Sequence, residues 1–143
     1  MVEIRVATMD DFEGILPLFG QLQPKIPLEK GKIRTFFQEM LASPNHMAWI
    51  ANLDGEIVGY MDVVFRAYHF AFGFTARIET TIVDDEHRRK GVATLLLKEC
   101  EKEAANRGCR IIELDSAMER TQAHQFYETN GYSKRGYLFW KKI

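Results

Sequence analysis

The residues best suited to chemistry in this sequence of 143 residues lie in a short charged loop. Arg88, Arg89 and Lys90 precede Gly91, and a helix-type pattern of apolar residues begins at Val92. The first N–H groups of an α-helix have no intrahelical acceptor, and the helix dipole favours an anion beside them. The loop therefore predicts a phosphate site. It is not a Walker loop, which needs G-x-x-x-x-G-K-[ST], nor a dinucleotide fingerprint, because it holds one glycine. A solvated loop before a helix is the alternative.

Two segments of the chain match signatures of one enzyme superfamily. The spacing Arg88-x-x-Gly91-x-Ala93 resembles the [RQ]-x-x-G-x-[GA] pyrophosphate signature of the GNAT superfamily of acyl-CoA-dependent N-acyltransferases. The segment Ala123–Tyr132 resembles the second signature of that superfamily, A-x-x-[FL]-Y-x-x-x-G-[FY]. The signatures occur in the family's order, and the resemblance covers nearly the whole chain. In its C-terminal signature the chain is most similar to a subgroup that includes aminoalkylphosphonate N-acetyltransferases.

The resemblance implies acetyl-CoA as the acetyl donor and assigns residues to it. Backbone groups of Thr81–Val83 would hold the pantetheine amides, and N–H groups from Arg89 to Thr94 would hold the pyrophosphate. Common family members have asparagine where this chain has Arg120. This arginine would contact the cofactor or an anionic group of the acceptor, or else be an exposed residue at a helix start. The expected donor-binding residues are Thr81, Ile82, Val83, Arg88, Arg89, Lys90, Gly91, Val92, Ala93, Thr94 and Arg120.

Two side chains are candidates for proton transfer. Tyr127 falls on the tyrosine of the second signature, and a phenol that is protonated at neutral pH can donate to a departing thiolate. The alternative is that Tyr127 packs on the apolar face of a short helix. Glu79 lies on the strand beside the expected cofactor and, without a bulge, would face the same side as Arg77 and Thr81. Many family members carry their glutamate two residues earlier, so a solvent-facing or arginine-paired Glu79 is the alternative, with water as the base.

The hydrophobic pattern predicts strands and helices in the order β-α-α-β-β-β-α-β-α-β-β, which matches the superfamily. The implied α/β (α+β) fold is a mixed sheet of about seven strands, splayed between its fourth and fifth strands and flanked by about four helices. Asp54-Gly55 predicts a hairpin turn, and Pro17 predicts a kink or early end of the first helix. Residues 66–74 predict an aromatic-rich loop, and 132–134 and 138–142 predict two final strands. We expect a single domain over residues 1–143.

The composition argues against several classes of function. A net charge of −1, with 46% apolar and 27% charged residues, gives no sign of a nucleic-acid or membrane surface. No segment approaches the length of a membrane span and the first residues lack a signal-peptide pattern, so a cytoplasmic protein is expected. The four histidines lack metal-ligand spacing. Cys100 and Cys109 are expected to be buried thiols, which argues against an acyl-cysteine intermediate.

The sequence thus predicts an N-acetyltransferase that moves an acetyl group from acetyl-CoA directly to the primary amine of a small molecule. Arg66, Arg77 and Arg120 suggest an acceptor that carries an anion. The aromatic residues of 68–72 suggest either an acceptor pocket or a homodimer contact. The alternatives are a peptide or protein N-terminal acetyltransferase and a non-catalytic acyl-CoA-binding sensor domain. The sensor would need neither Tyr127 nor a base.

Overall fold

Five strands form one sheet, and its fourth strand carries Glu79 and Thr81–Val83. The computed structural model describes residues 1–143, which form two compact units, Met1–Glu113 and Leu114–Ile143. The single-domain interpretation stays a prediction. In the first unit the elements are β1 (Glu3–Val6), α1 (Phe12–Leu22), α2 (Lys30–Ala42), β2 (His46–Leu53), β3 (Glu56–Tyr68), β4 (Gly73–Val83), α3 (Val92–Asn106) and β5 (Ile111–Glu113), and α4 (Thr121–Thr129) lies in the second unit.

The sheet is mixed, because β1 to β4 pair antiparallel while β5 runs parallel to β4. The hairpin between β2 and β3 turns at Asp54 and Gly55, as the sequence predicts, and their positive φ angles of 52° and 89° are typical of a tight hairpin turn. Strand β5 pairs only with Thr75–Arg77. The last six residues of β4, from Ile78 to Val83, therefore have no neighbouring strand on that side.

A β-bulge interrupts the ladder between β3 and β4. Asp62 pairs with Thr80 and Val63 pairs with Ile78, so Glu79 is an extra residue on β4. Such an insertion breaks the alternation of side chains between the two faces of a strand. Two residues of β4 that are an even number of positions apart, one before the bulge and one after it, therefore lie on opposite faces of the sheet.

Helices α1 and α2 cover one face of the sheet. Their buried side chains form a core with residues of β2, β3 and β4: Phe12, Ile15, Leu18 and Phe37 with Ala48, Ile50, Tyr60 and Ile82. Helix α1 runs through Pro17 to Leu22, so the expectation of an early end at this proline is wrong. Pro17 and Glu13 are both exposed, and water can bind the Glu13 carbonyl that lacks an N–H partner.

Helix α3 covers the opposite face, where a glycine lets it approach β3 closely. A Cβ atom at Gly59 would lie 2.8 Å from Cγ1 of Val92, 3.1 Å from Cδ1 of Leu96 and 3.2 Å from Cβ of Ala51. All three of these neighbours are at least 98% buried. The helix stops before Gly108, whose φ of 75° is typical of a glycine after a helix end.

The segment expected to be an aromatic-rich loop is mostly strand. Strand β3 continues to Tyr68, a single 3₁₀ turn covers His69–Ala71, and β4 begins at Gly73. The cross-strand pairs continue as far as Tyr68 with Gly73, so the ladder satisfies backbone groups that a loop would leave to water. The prediction of a loop over 66–74 is therefore wrong for all but its tip.

The second unit holds α4 and no strand. The helix is followed by Gly131 with φ 90°, and the N–H of Tyr132 donates to the Tyr127 carbonyl at 3.0 Å. Residues 133–143 have no regular structure and are exposed, with Phe139 91% and Trp140 79% accessible. A strand needs a partner for its backbone groups, and none pairs with this segment. The sheet therefore has five strands instead of the predicted seven, and the predicted order is not found in full.

Candidate active site

The N-terminus of α3 presents unpaired N–H groups. The first intrahelical bond runs from Leu95 N to the Gly91 carbonyl at 3.1 Å, so the N–H groups of Val92, Ala93 and Thr94 have no acceptor within the helix. Gly91 is the N-cap and adds no side-chain cap. Its φ of 82° lies in the left-handed region, while a Cβ there would meet nothing within 4 Å. A glycine is therefore favoured at this position by backbone conformation and not by lack of space.

Basic side chains surround this helix end. Arg88, Arg89 and Lys90 are all exposed. Arg88 pairs with Asp85 at 2.8 Å, and its Nε lies 3.4 Å from the Val83 carbonyl. Arg89 has a φ of 63°, which a non-glycine residue rarely adopts. The positive charge and the uncapped N–H groups together fit a pyrophosphate group.

A side chain of α1 holds the beginning of this loop. The amide of Gln21 donates to Asp84 Oδ1 at 2.8 Å, and its oxygen accepts from the Asp85 N–H at 3.0 Å. The other Asp84 oxygen lies 2.7 Å from Nδ1 of His87. These contacts, first the Gln21 hydrogen bond and then His87, hold the pKa of Asp84 below its usual range. Sequence analysis missed this link because Gln21 and Asp84 are far apart along the chain.

The open edge of β4 fits an extended chain with amide groups. Thr81–Val83 lie on the part of β4 that β5 does not pair with. The hydroxyl of Thr81 is buried and has no hydrogen-bond partner within the protein. A ligand with its own amide donors and acceptors can satisfy such an edge, as the two amides of pantetheine would. The edge leads to the α3 N-terminus, so the residues present fit coenzyme A.

The bulge at Glu79 removes the strict alternation that would have placed Arg77, Glu79 and Thr81 on one face of the sheet. Across the ladder, Arg77 pairs with Val64 and Thr81 with Met61, and the bulge at Glu79 puts Arg77 and Thr81 on opposite faces. The Glu79 carboxylate lies 3.3 Å from Nε of Arg77, and its side chain is 49% exposed. The arginine-paired alternative is therefore the arrangement found.

Two of the three arginines expected to attract an anion, Arg66 and Arg77, are paired with carboxylates. Arg66 forms an ion pair with Glu113, and Nη1 of Arg77 lies 4.0 Å from the same carboxylate. Arg77 also contacts Glu79. Two arginines and two glutamates cancel in charge, so this cluster gives no excess of positive charge to an anionic acceptor.

Asp62 is a half-buried residue that sequence analysis did not single out. Its Oδ2 accepts a hydrogen bond from the Tyr60 hydroxyl at 2.8 Å, while its Oδ1 is buried without a regular hydrogen bond. Burial raises the pKa of Asp62 to about 6, although Tyr60 and then Thr80 act to lower it and Glu79 to raise it. One feature of the sequence could have identified it, because Asp62 is the only charged residue between Glu56 and Arg66 in an otherwise largely apolar strand.

Tyr127 and Arg120 lie in the second unit. Tyr127 is half-buried in α4, and its ring packs edge-on against Phe126 and Tyr132, with centroids 5.1 and 5.7 Å apart. Arg120 is exposed at the start of α4, where its carbonyl accepts from the His124 N–H at 3.1 Å.

Burial raises the pKa of the Cys100 thiol to about 12, which makes it a poor nucleophile.

Two classes of feature are absent from the structure. No group of three or more histidine, cysteine, aspartate or glutamate residues is placed to hold a metal ion. No helix has the length and apolar character needed to cross a membrane.

Comparison with known proteins places this geometry in a family. Residues 12–132 match the acetyltransferase (GNAT) family. The chain is 28% identical over 141 residues to an aminoalkylphosphonate N-acetyltransferase of Salmonella typhimurium, covering 99% of this chain and 91% of that protein. It is 27% identical over 106 residues to an aminoglycoside N(6')-acetyltransferase type 1 of Serratia marcescens, covering 71% and 72%.

Solved structures share the fold over nearly the whole chain. A transcriptional regulator from Bacillus halodurans C-125 superposes with a TM-score of 0.88 at 25% identity and full coverage of both chains. An aminoglycoside N-acetyltransferase in complex with CoA has a TM-score of 0.87 at 24% identity and covers 99% of this chain and 95% of its own. The match over residues 12–132, together with a helix N-terminus and strand edge that fit coenzyme A, shows that this chain belongs to the acetyltransferase (GNAT) family and uses acetyl-CoA.

Proposed function

We propose that this N-acetyltransferase transfers the acetyl group of acetyl-CoA directly to the primary amine of a small molecule. The observation that carries the proposal is the uncapped N-terminus of α3 following the open edge of β4. These two features together offer N–H groups to a pyrophosphate and a strand edge to an amide-containing arm. Bound there, acetyl-CoA supplies the acetyl group as a thioester, which an amine can attack.

The cofactor contacts that we propose are mostly made by the main chain. N–H groups from Arg89 to Thr94 would hold the pyrophosphate, and backbone groups of Thr81, Ile82 and Val83 would hold the pantetheine amides. The side chains of Arg88, Arg89 and Lys90 would add charge near the phosphates. Arg120 would contact either the donor or an anionic group of the acceptor. A main-chain site of this kind tolerates most side-chain changes but not a change of backbone conformation at Gly91.

We propose that Tyr127 donates a proton to the sulfur that departs as the thioester breaks. The support is its place in the second signature and the chemistry of a phenol, which is a hydrogen-bond donor at neutral pH. We propose that Glu79 accepts the proton released by the amine, directly or through water. Its carboxylate lies 3.3 Å from Nε of Arg77 and its side chain is 49% exposed, so water can reach it and a path through water suits this geometry.

The relatives support a small acceptor. Two of them are named for aminoalkylphosphonates and aminoglycosides, which are small molecules with primary amines. The neutral cluster of Arg66, Arg77, Glu79 and Glu113 does not add support for an anionic acceptor, so an acceptor with or without an anion fits. A peptide acceptor is the outcome that would overturn the proposal.

The acceptor is tested by measuring thiol release from acetyl-CoA with a panel of amines. The panel holds 2-aminoethylphosphonate, ethanolamine, a polyamine, an aminoglycoside and a short peptide with a free N-terminus. We expect kcat/KM for at least one small amine to exceed that for the peptide by about tenfold or more. Turnover of the peptide alone would indicate a peptide acetyltransferase. Binding of acetyl-CoA without turnover of any amine would indicate a sensor.

The donor site is tested separately by thermal unfolding. Acetyl-CoA at about 100 times its Kd should stabilise the folded state by about 2.7 kcal/mol, whereas pantetheine, which lacks the pyrophosphate, should do far less. Gly91→Val should remove most of this stabilisation, because valine resists a φ of 82°. Gly73→Val is the matched control, since Gly73 has open space and no positive φ. Equal stabilisation by pantetheine and acetyl-CoA would contradict the assignment of the pyrophosphate to this loop.

A further inference from the structure

One carboxylate oxygen of Asp62 forms no hydrogen bond of regular geometry within the protein, although the side chain and backbone of Thr80 lie close enough to act on the carboxylate. Asp62 lies on β3 between Met61 and Val63, both of which are fully buried, and points to the face covered by α1 and α2. Tyr60 fixes one oxygen, and the other, Oδ1, is buried with no regular hydrogen bond. Buried polar atoms in folded proteins nearly always have partners, so an unmatched carboxylate oxygen indicates a place for a hydrogen-bond donor from outside the protein.

The charges on this face favour a cation as that donor. The nearby ion pairs of Arg66 and Arg77 with Glu79 and Glu113 add two positive and two negative charges. Glu79 is the charged neighbour that acts on the Asp62 carboxylate, and its like charge raises the pKa of Asp62. Asp62 pairs with Thr80 on β4, directly beside the bulge and one strand from the open edge. A positively charged group held at Asp62 would thus lie close to the edge at which we place the acetyl donor.

We propose that Asp62 is the residue that binds the acceptor, receiving its ammonium group at Oδ1. This inference rests on the proposed function, because it supposes an acceptor that arrives as a protonated amine. An ammonium group has three N–H donors and no acceptor, which matches a carboxylate oxygen in need of a donor. A hydroxyl in place of the amine would bring no charge, so Asp62 would discriminate between amines and alcohols.

The surroundings of Asp62 make this binding depend on pH. The polar groups that face it are Tyr60 on β3 and Thr80 and Glu79 on β4. From α1 and α2, the groups near Tyr60 are apolar, namely the rings of Phe19 and Phe37 and the thioether of Met40. With the pKa of Asp62 raised to about 6 by burial, the carboxylate is charged at pH 8 and becomes neutral below pH 6. The KM of an amine acceptor should therefore rise as the pH falls through 6.

The test compares Asp62→Asn with Asp54→Asn, which makes the same change at the exposed turn of the same hairpin. The acceptors are 2-aminoethylphosphonate and ethanolamine at pH 8. We expect Asp62→Asn to raise the acceptor KM by about tenfold or more, and to change the Kd of acetyl-CoA by less than about twofold. Asp54→Asn should match the wild type. An unchanged acceptor KM, or an equal loss of acetyl-CoA binding, would overturn the proposal.

Tyr60→Phe gives a second measurement that keeps the charge of Asp62. It removes the hydroxyl that stabilises the ionised carboxylate, so the acid limb of kcat/KM for the amine should move to higher pH. A purely structural role for the pair would lower stability and leave this limb in place, which would overturn the proposal.

A further titration distinguishes this inference from the proposed function. The ¹³C signal of the Asp62 carboxylate, assigned with Asp62→Asn, is followed in the presence of free CoA, which carries no acetyl group to transfer. Ethanolamine should lower the pKa of Asp62, and ethylene glycol should not. Absence of thiol release from any amine would refute the proposed function alone, whereas an unmoved carboxylate pKa would refute the role of Asp62.

Discussion

The close approach of α3 to β3 at Gly59 predicts that one methyl group there disturbs both stability and cofactor binding. In Gly59→Ala, the new Cβ would lie 2.8 Å from Val92, 3.1 Å from Leu96 and 3.2 Å from Ala51. Contacts below 3.4 Å require the neighbours to move, and all three neighbours are buried in the core. One of them is a Cβ atom on the adjacent strand β2, which cannot rotate away. The helix must therefore shift.

The cost follows from what overpacking does in protein interiors. Extra carbon atoms in a packed core typically destabilise by about 1–3 kcal/mol. The gain that alanine brings by restricting the unfolded chain is smaller, about 0.4–1 kcal/mol. We expect a net loss of about 1–2 kcal/mol in the free energy of unfolding. Val92 is the first residue of α3, so the same shift should displace the N–H groups at the anion site and raise the Kd of acetyl-CoA.

Urea unfolding and calorimetric titration with acetyl-CoA measure the two effects. Gly73→Ala is the control, because a Cβ at Gly73 meets nothing within 4 Å and its φ is not positive, so its stability should change by less than about 0.5 kcal/mol. A Gly59→Ala protein with wild-type stability would refute the packing argument. A destabilised variant with unchanged acetyl-CoA affinity would refute the link from Gly59 to the anion site.

Four further predictions concern single side chains. Tyr127→Phe should lower kcat by about tenfold or more where chemistry limits the rate, and wild-type turnover would leave Tyr127 with packing alone. Glu79→Gln should lower turnover mainly below the pKa of the amine, and a defect that does not vary with pH would indicate positioning. Asp11→Asn should lose about 1–2 kcal/mol at pH 7, because Arg5 and then Thr8 hold the pKa of Asp11 below its usual range, and the difference from wild type in urea unfolding should vanish as the pH falls through that lowered pKa. Asp62→Asn should be more stable than wild type at pH 8 by up to about 3 kcal/mol, and the gain should shrink as the pH falls from about 6 to about 4, where the carboxylate of the folded wild type takes up a proton before that of the unfolded chain.

The features that sequence predicts well are those in which a local residue type determines a backbone conformation. Asp54-Gly55 and Gly91 adopt positive φ angles where the sequence places a hairpin turn and an anion loop. Both need only a short stretch of chain to be recognised. The chemistry of the anion loop is made by main-chain N–H groups, so its signature survives wide variation in side chains.

The features that sequence analysis missed depend on contacts between distant segments. The bulge at Glu79 is a property of the register between β3 and β4, and no residue type in either strand announces it. The Gln21–Asp84 contact joins residues 63 positions apart. The predicted strands at 132–134 and 138–142 have a suitable pattern, but a pattern does not supply a pairing partner.

Asp62 shows why a residue that binds a ligand can interrupt the apolar pattern of a strand. A folded-state pKa raised to about 6 means that the carboxylate weakens the fold above that pH, and an asparagine of the same shape would not. Packing alone therefore gives no reason for an aspartate between two fully buried neighbours. A bound ammonium reverses the balance, since it supplies both a donor to Oδ1 and a compensating charge. The same carboxylate is then unfavourable in the free protein and favourable in the complex, which is the difference in free energy that an acceptor site uses to select a cation.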